Sequence, residues 1–305
     1  MPAPKFPTDR AALLVQENIP VLDSNDWTRQ FFDDTLTSLS KISLAPAGAA
    51  VRHPSLIAWP ESPAPFYGGD PLFRAALGKL ATSAHTWVIA GSIGVESAKL
   101  SPAQPSQIFN SAALVSPDGE IVARYDKVHL VPFGEYLPFK DWLGFAGGLT
   151  KEVGDFSRGQ SRAPLQAGDE KLGVFICYES IFPDEVRQFA KNGAQVFVNI
   201  SNDGWYGDSG AYAQHLKQAR MRAIENARWL LRTTNTGVTA AIDPDGRVEQ
   251  TVPRKVRIVL QASYGLNDST TFYTRHGDWL AYLCAIISIG AVIIALTPAK
   301  GRRSA

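Results

Sequence analysis

Short apolar runs of strand length alternate along this chain with segments whose apolar residues recur at helical spacing. Residues 11–18, AALLVQEN, read as a strand. Asp26 to Leu39 read as a helix, with Trp27, Phe31, Leu36 and Leu39 near one face. A strand over SLIAWPE (55–61), a helix over 71–84 and a strand over TWVIAGSI (86–93) follow. Residues 111–127 read as a hairpin with Pro-Asp-Gly at its turn. KLGVFICYES (171–180) reads as a buried strand leading to a helix from Pro183 to Asn192. The pattern then predicts a strand over 194–201, a helix over Ala211–Asn226 and a strand over 229–235. A second Pro-Asp-Gly hairpin (238–248) and a strand over 254–263 close this part. Strands alternating with helices and interrupted by hairpins predict an α/β fold of layered mixed sheets. Residues 129–170 break the rhythm, being rich in Gly, Pro and aromatics, and a stretch that long suggests a lid or binding loop.

One composition shift is sharp. From Trp279 to Pro298 the chain runs twenty residues without a charge. As a helix this segment would span roughly 30 Å, the thickness of a bilayer's hydrocarbon core. Lys300, Arg302 and Arg303 follow, so the positive-inside rule puts the C-terminus in the cytoplasm and residues 1–278 outside. The opening MPAPKFPTDRAALL carries no signal-peptide pattern. An exported region without an export signal predicts that the chain is the C-terminal part of a larger membrane protein with earlier spans.

The remaining composition mainly excludes. The 305 residues carry a formal net charge of +1 and no dense Lys/Arg stripe, so nucleic-acid binding has no electrostatic basis. Two cysteines, Cys177 and Cys284, make no disulfide framework. The five histidines are scattered without metal-ligand spacing, and neither a P-loop nor a dinucleotide fingerprint is present.

Three residues stand at the ends of predicted strands, where α/β sheets place their sites. They are Glu61 in AWPES, Lys127 in RYDKVHLVPFGEYLP and Cys177 in FICYES. Each has an ordinary reading on its own: a solvated strand end, a surface lysine and a core cysteine. Together they supply a base, a cation for an oxyanion and a nucleophile without any histidine. Arg220, Arg222 and Arg228 read as an ion-paired helix face with Glu225, and His129 and His215 as packed side chains.

In that order, Glu61, Lys127 and Cys177 resemble the Glu-Lys-Cys triad of the nitrilase, or C–N hydrolase, superfamily. The longer runs HLVPFGEYLPF (129–139), FSRG (156–159), ICYE (176–179), ISNDGWYGDSGAYAQH (200–215), ARMRAIENAR (219–228) and TTNTGVTAAIDPDG (233–246) resemble its apolipoprotein N-acyltransferase branch. The resemblance runs from about residue 11 to the apolar segment. It implies an αββα sandwich over residues 11–275, preceded by a linker (1–10) and followed by a transmembrane helix (279–298) and a basic tail (299–305). In that branch a bundle of membrane helices precedes the catalytic domain, which fits the missing export signal. The implied reaction is acyl transfer from a phospholipid, through a Cys177 thioester, to the N-terminal amine of a diacylated apolipoprotein. Glu61 would be the base, and Lys127 with a backbone N–H beside Tyr178 would hold the oxyanion. Glu135, Tyr178 and Glu179 would support the site, and Trp27 and Trp205 would contact substrate, with core packing the competing reading for both tryptophans. Asn110 and Asn235 would be structural hydrogen-bonders around the pocket. No metal or diffusible cofactor is expected. The implied setting is the bacterial inner membrane, outer face, with the protein a monomer. A soluble-type nitrilase-family hydrolase of small amides or nitriles using the same triad, and a catalytically idle membrane-anchored module, are the alternatives.

Overall fold

The computed structural model describes residues 6–20, 27–45, 52–62, 64–96, 107–138 and 155–297. The expected tail and part of the 129–170 segment lie outside them. The first half runs β1 (Arg10–Gln16), α1 (Arg29–Leu44), β2 (Leu56–Ala58), α2 (Pro71–Ala84), β3 (Trp87–Glu96), β4 (Gln107–Val115) and β5 (Ile121–Asp126). The second runs β6 (Leu165–Ala167), β7 (Glu170–Ile176), α3 (Pro183–Lys191), β8 (Val196–Ser201), α4 (Ala211–Asn226), β9 (Leu230–Thr234), β10 (Ala240–Ile242) and β11 (Val248–Thr251). Then come β12 (Ile258–Tyr264), the short α5 (Phe272–His276) and α6 (Trp279–Leu296).

Two six-stranded mixed sheets form, ordered β12-β1-β2-β3-β4-β5 and β11-β10-β9-β8-β7-β6. Both use one pairing scheme: an antiparallel flanking strand, two parallel steps, then two antiparallel steps. The fold is therefore a module used twice, with the sheets face to face and helices outside. The strands read as unbroken apolar runs because both faces are buried. Alternation inside those runs sorts the layers: Ala12, Leu14, Leu56, Ala58 and Ile89 join the core between the sheets. Leu13, Val15, Ile57, Trp59, Val88 and Ala90 instead face Phe32, Leu36, Phe73 and Leu77 of α1 and α2.

Helix ends follow local chemistry. Asp70 caps α2 by accepting from the N–H groups of Leu72 and Phe73, with Pro71 at the first helical position. Thr28 caps α1, which starts later and runs five residues further than its apolar spacing predicts, to Leu44. The extra turn carries Ser43, whose hydroxyl accepts from the Trp59 indole at 2.9 Å, a tertiary partner that no helical period reports. The 129–170 segment is not wholly irregular: β6 pairs with β7 across a turn at Gly168, which has φ +62°. Three residues are too few for periodicity to register.

α6 differs from the rest. None of its residues is buried, and its apolar side chains all face outward. It is long and apolar enough to cross a membrane.

One close approach sets the position of the β2 end. The N–H of Gly91 in β3 donates to the Pro60 carbonyl at 3.1 Å. A Cβ at Gly91 would sit 2.3 Å from that oxygen and 2.4 Å from the Ser62 nitrogen. Gly91→Ala is expected to destabilise the protein by about 3 kcal/mol, because backbone rather than a flexible side chain must yield. Denaturant midpoints of the two proteins check this, and an unchanged midpoint contradicts it.

Candidate active site

β2 and β5 run the same way in the first sheet, so their carboxyl ends reach one edge. There the second sheet contributes the ends of β7 and β8. Glu61 follows β2, Lys127 follows β5 directly, and Cys177 follows β7 directly. The structure brings all three together with Glu135.

Lys127 is the centre of the set. It is 1% exposed, far from the surface lysine of its isolated reading. Its Nζ lies 2.7 Å from Glu135 Oε1 and 3.3 Å from Glu61 Oε1. Asn110, on β4, donates from Nδ2 to both same oxygens, at 2.8 Å to Glu61 and 2.7 Å to Glu135. Backbone N–H groups complete the carboxylates: Asn202 donates to Glu61 Oε2 and Val131 to Glu135 Oε2, each at 2.8 Å. Burial by itself pulls the ammonium pKa down, but Glu61 and Glu135 outweigh it and hold Lys127 above its ordinary range.

Cys177 opens a 3-10 turn (Cys177–Ile181) with a left-handed φ of 47°. A non-glycine residue there is strained, and such strain gathers at functional turns. The thiol is buried, and burial first, then Glu61, push its pKa up, while Lys127 only partly offsets them. This environment favours the thiol over the thiolate.

The supporting residues divide. Glu179 is a buried staple: Oε1 accepts from the N–H groups of Val128 (2.7 Å) and His129 (3.0 Å), and Oε2 from Ile176 N–H (2.7 Å). The Tyr125 hydroxyl adds bonds of 2.8 and 2.9 Å to its two oxygens. One carboxylate thus joins the chain before Cys177 to the chain after Lys127. Tyr178 is half-buried, with its ring edge-on to Phe182 at 5.0 Å. His129 stacks on Phe182 at 3.5 Å. Trp27 packs on Phe31 and Phe66 and belongs to the periphery of the outer core. Trp205 is 73% exposed in the 3-10 turn after β8, so it is not a core residue. The arginines part company: Arg222 pairs with Glu225 at 2.7 Å, whereas Arg228 lies beyond α4 and donates to the Ala194 and Ser269 carbonyls. Asn235 donates to Ile19 O and Asn202 Oδ1, tying the halves together.

A second buried group was not legible as functional. His215 Nε2 lies 3.0 Å from the Cys177 carbonyl oxygen, and its Nδ1 lies 3.0 Å from Asp203 Oδ1. Arg232 Nη2 donates to both Asp203 oxygens, at 3.0 and 2.9 Å, and Ser201 donates to Oδ1 at 2.8 Å. The signal was present in LLRTT, since a charge inside an apolar strand requires a buried partner. Among the described residues no group of His, Cys, Asp and Glu is arranged to hold a metal ion.

Two stability tests follow from these contacts. Glu179→Gln turns one acceptor oxygen into a donor facing backbone N–H groups, and is expected to cost about 3 kcal/mol in a denaturant titration. For Asp203, burial would raise the pKa, but Arg232 and His215 overcome it and hold the carboxyl well below its usual range. A depressed acid stabilises the fold above its unfolded pKa of about 4 and loses that contribution as pH falls. Asp203→Asn should therefore be destabilising at pH 7, with the gap to the parent narrowing below about pH 4. A gap independent of pH would contradict the assignment.

Known proteins are similar to this chain in sequence or in fold. The carbon-nitrogen hydrolase family pattern matches residues 24–272. An apolipoprotein N-acyltransferase from Geobacter metallireducens is 37% identical over 92% of this chain and 52% of its own length. One from Rhodopseudomonas palustris is 37% identical over 86% of this chain and 49% of its own. The chain thus spans about half the length of these curated relatives. The fold is similar to a carbon-nitrogen hydrolase from Helicobacter pylori, with TM-score 0.60, 17% identity, and coverage of 94% and 98% of the two chains. It is also similar to a Nesterenkonia amidase of the nitrilase superfamily, with TM-score 0.60, 19% identity, and coverage of 91% and 97%. With a matching pattern over most of its length and the same sandwich, the chain belongs to the carbon-nitrogen hydrolase family.

Proposed function

We propose that the chain is the catalytic part of an apolipoprotein N-acyltransferase, moving an acyl group from a phospholipid to the amine of a diacylated N-terminal cysteine. The observation that carries this reading is the pairing of a thiol–carboxylate–ammonium pocket with a helix that hides none of its apolar side chains. A hydrolase acting on small dissolved amides has no use for that helix. The apolipoprotein N-acyltransferases of related sequence support the same reading.

In the first half-reaction Glu61 takes the Cys177 proton as Sγ attacks the ester carbonyl carbon. The C–S bond forms, and the carbonyl electrons move to an oxyanion held by the Lys127 ammonium and the Tyr178 N–H. Collapse breaks the C–O bond, and the departing lysophospholipid alkoxide takes the proton back from Glu61. In the second half the acceptor amine attacks the thioester and yields a proton to Glu61. The C–N bond forms, the C–S bond breaks, and Sγ regains the proton. Glu135 and Asn110 keep Lys127 in place, and Tyr178 and Glu179 shape the turn. Trp27 and Trp205 are proposed substrate contacts, Trp205 the better placed by its exposure. Residues 11–275 form the catalytic unit and 279–298 the span. The site lies on the outer face of the bacterial inner membrane, the C-terminus is cytoplasmic, and the protein is a monomer.

Intact mass of the detergent-solubilised chain after incubation with phosphatidylethanolamine tests the reading. The expected result is a gain of one acyl group, labile to hydroxylamine and absent from Cys177→Ala. A folded protein whose thiol alkylates with iodoacetamide but gains no acyl group would overturn the phospholipid step. Turnover of a small amide would then favour the amidase, and no turnover the idle module.

A further inference from the structure

The cluster behind Cys177 has no part in the proton and acyl transfers above, yet it touches the nucleophile's own backbone. A carbonyl only accepts, so in the 3.0 Å contact with Cys177 O it is His215 Nε2 that carries the proton. The contact comes from the core side, since His215 on α4 is buried. We propose that His215 is a positioning residue for the oxyanion, aiming the Tyr178 N–H by holding the opposite end of the same peptide group. The role rests on the acyl-enzyme reading and adds a residue to it.

The argument is geometric. The Cys177 carbonyl and the Tyr178 N–H belong to one planar trans peptide, so they point in opposite directions and turn together. Fixing the oxygen on the core side fixes the N–H on the site side. The φ of 47° at Cys177 makes such a clamp necessary, because a left-handed non-glycine residue persists only where its surroundings over-determine it. A carbonyl that accepts a hydrogen bond also polarises its peptide and strengthens the N–H as a donor.

His215 is itself held on every side. Asp203 Oδ1 lies 3.0 Å from its Nδ1, and Arg232 Nη2 lies 3.1 Å from the same nitrogen while bonding both Asp203 oxygens. The Tyr206 ring stands edge-on to the imidazole at 5.6 Å and fixes its plane. Arg232 also bonds the Asn199 side chain, whose Nδ2 donates to Phe175 O at 3.1 Å on β7. The network therefore closes on the strand that delivers Cys177. Gly237 packs so near Asp203 that a Cβ there would come within 2.1 Å of Oδ2, leaving the carboxylate no room to turn.

An oxyanion-specific role separates two reactions of one thiol. Acyl transfer builds a negative oxygen and needs the Tyr178 N–H, whereas alkylation by iodoacetamide is a direct displacement that builds none. The test uses the full detergent-solubilised chain with p-nitrophenyl butyrate as acyl donor, so it does not depend on the phospholipid. His215→Ala is expected to slow acylation of Cys177 by about 100-fold while changing its alkylation by less than about threefold. His215→Gln, whose amide reaches the Nε2 position, should recover most of the loss, and His215→Asn, which reaches only the Nδ1 position, should not. If the alanine variant does not fold, the Gln and Asn pair decides alone. Equal losses in both reactions, or no loss in either, would overturn the positioning role. A parent protein that alkylates but never acylates would overturn the acyl-enzyme reading itself.

Discussion

A lysine sealed between two carboxyl groups is the constraint on which the rest of this structure depends. Removing an ammonium from water costs several kcal/mol, and only close, well-bonded partners offset it. Glu61 and Glu135 provide them, and Asn110, Asn202 and Val131 occupy the oxygen lone pairs that remain. Those partners come from β2, β4, the loop after β5 and the end of β8, so the pocket exists only when both sheets are in register. The same arrangement governs the sulfur. Burial first and then Glu61 disfavour a resting thiolate, and the Lys127 ammonium offsets them only in part.

The doubled module explains why the site is distributed as it is. Corresponding strand ends in the two halves arrive at one edge, and the halves then divide the work. The first carries Glu61 and Lys127, the second Cys177 and the buried Asp203–His215–Arg232 network. Neither half alone holds a complete set. Glu179 and Asn235 bind the halves where their strand ends meet.

Much of this was open to reading in the chain. The helices 71–84 and 211–226 fall where their spacing puts them, because the buried positions of each face one layer. Strand ends marked Glu61, Lys127 and Cys177 as candidates, and family resemblance turned three ordinary residues into a set. Depth was the part that stayed hidden. Lys127 ends a hairpin beside polar residues, and nothing local says that it is sealed by a loop folding back from residue 135. His215 looked like a packed histidine for a similar reason: its partner is a backbone carbonyl, which every residue has and no motif records. β6 escaped because three residues carry no period.

β12 follows the second half in sequence but pairs with β1 of the first, placing Arg10 opposite Tyr264. Gly265 then runs so close to Pro7 that a Cβ on it would lie 2.2 Å from the Pro7 carbonyl oxygen. The chain enters and leaves the sandwich at one corner, clasped by the Tyr264 hydroxyl on Glu170 at 2.6 Å and by Arg10 on the same carboxylate at 3.3 Å. Such a unit inserts between two neighbouring segments without stretching either. It also has a mechanical direction. Tension drawn through both flanks loads the β1–β12 ladder end-on, so its bonds open one after another, as in a zipper, beginning at Arg10 and Tyr264. A pull between the two flanks therefore meets one rung of that ladder at a time.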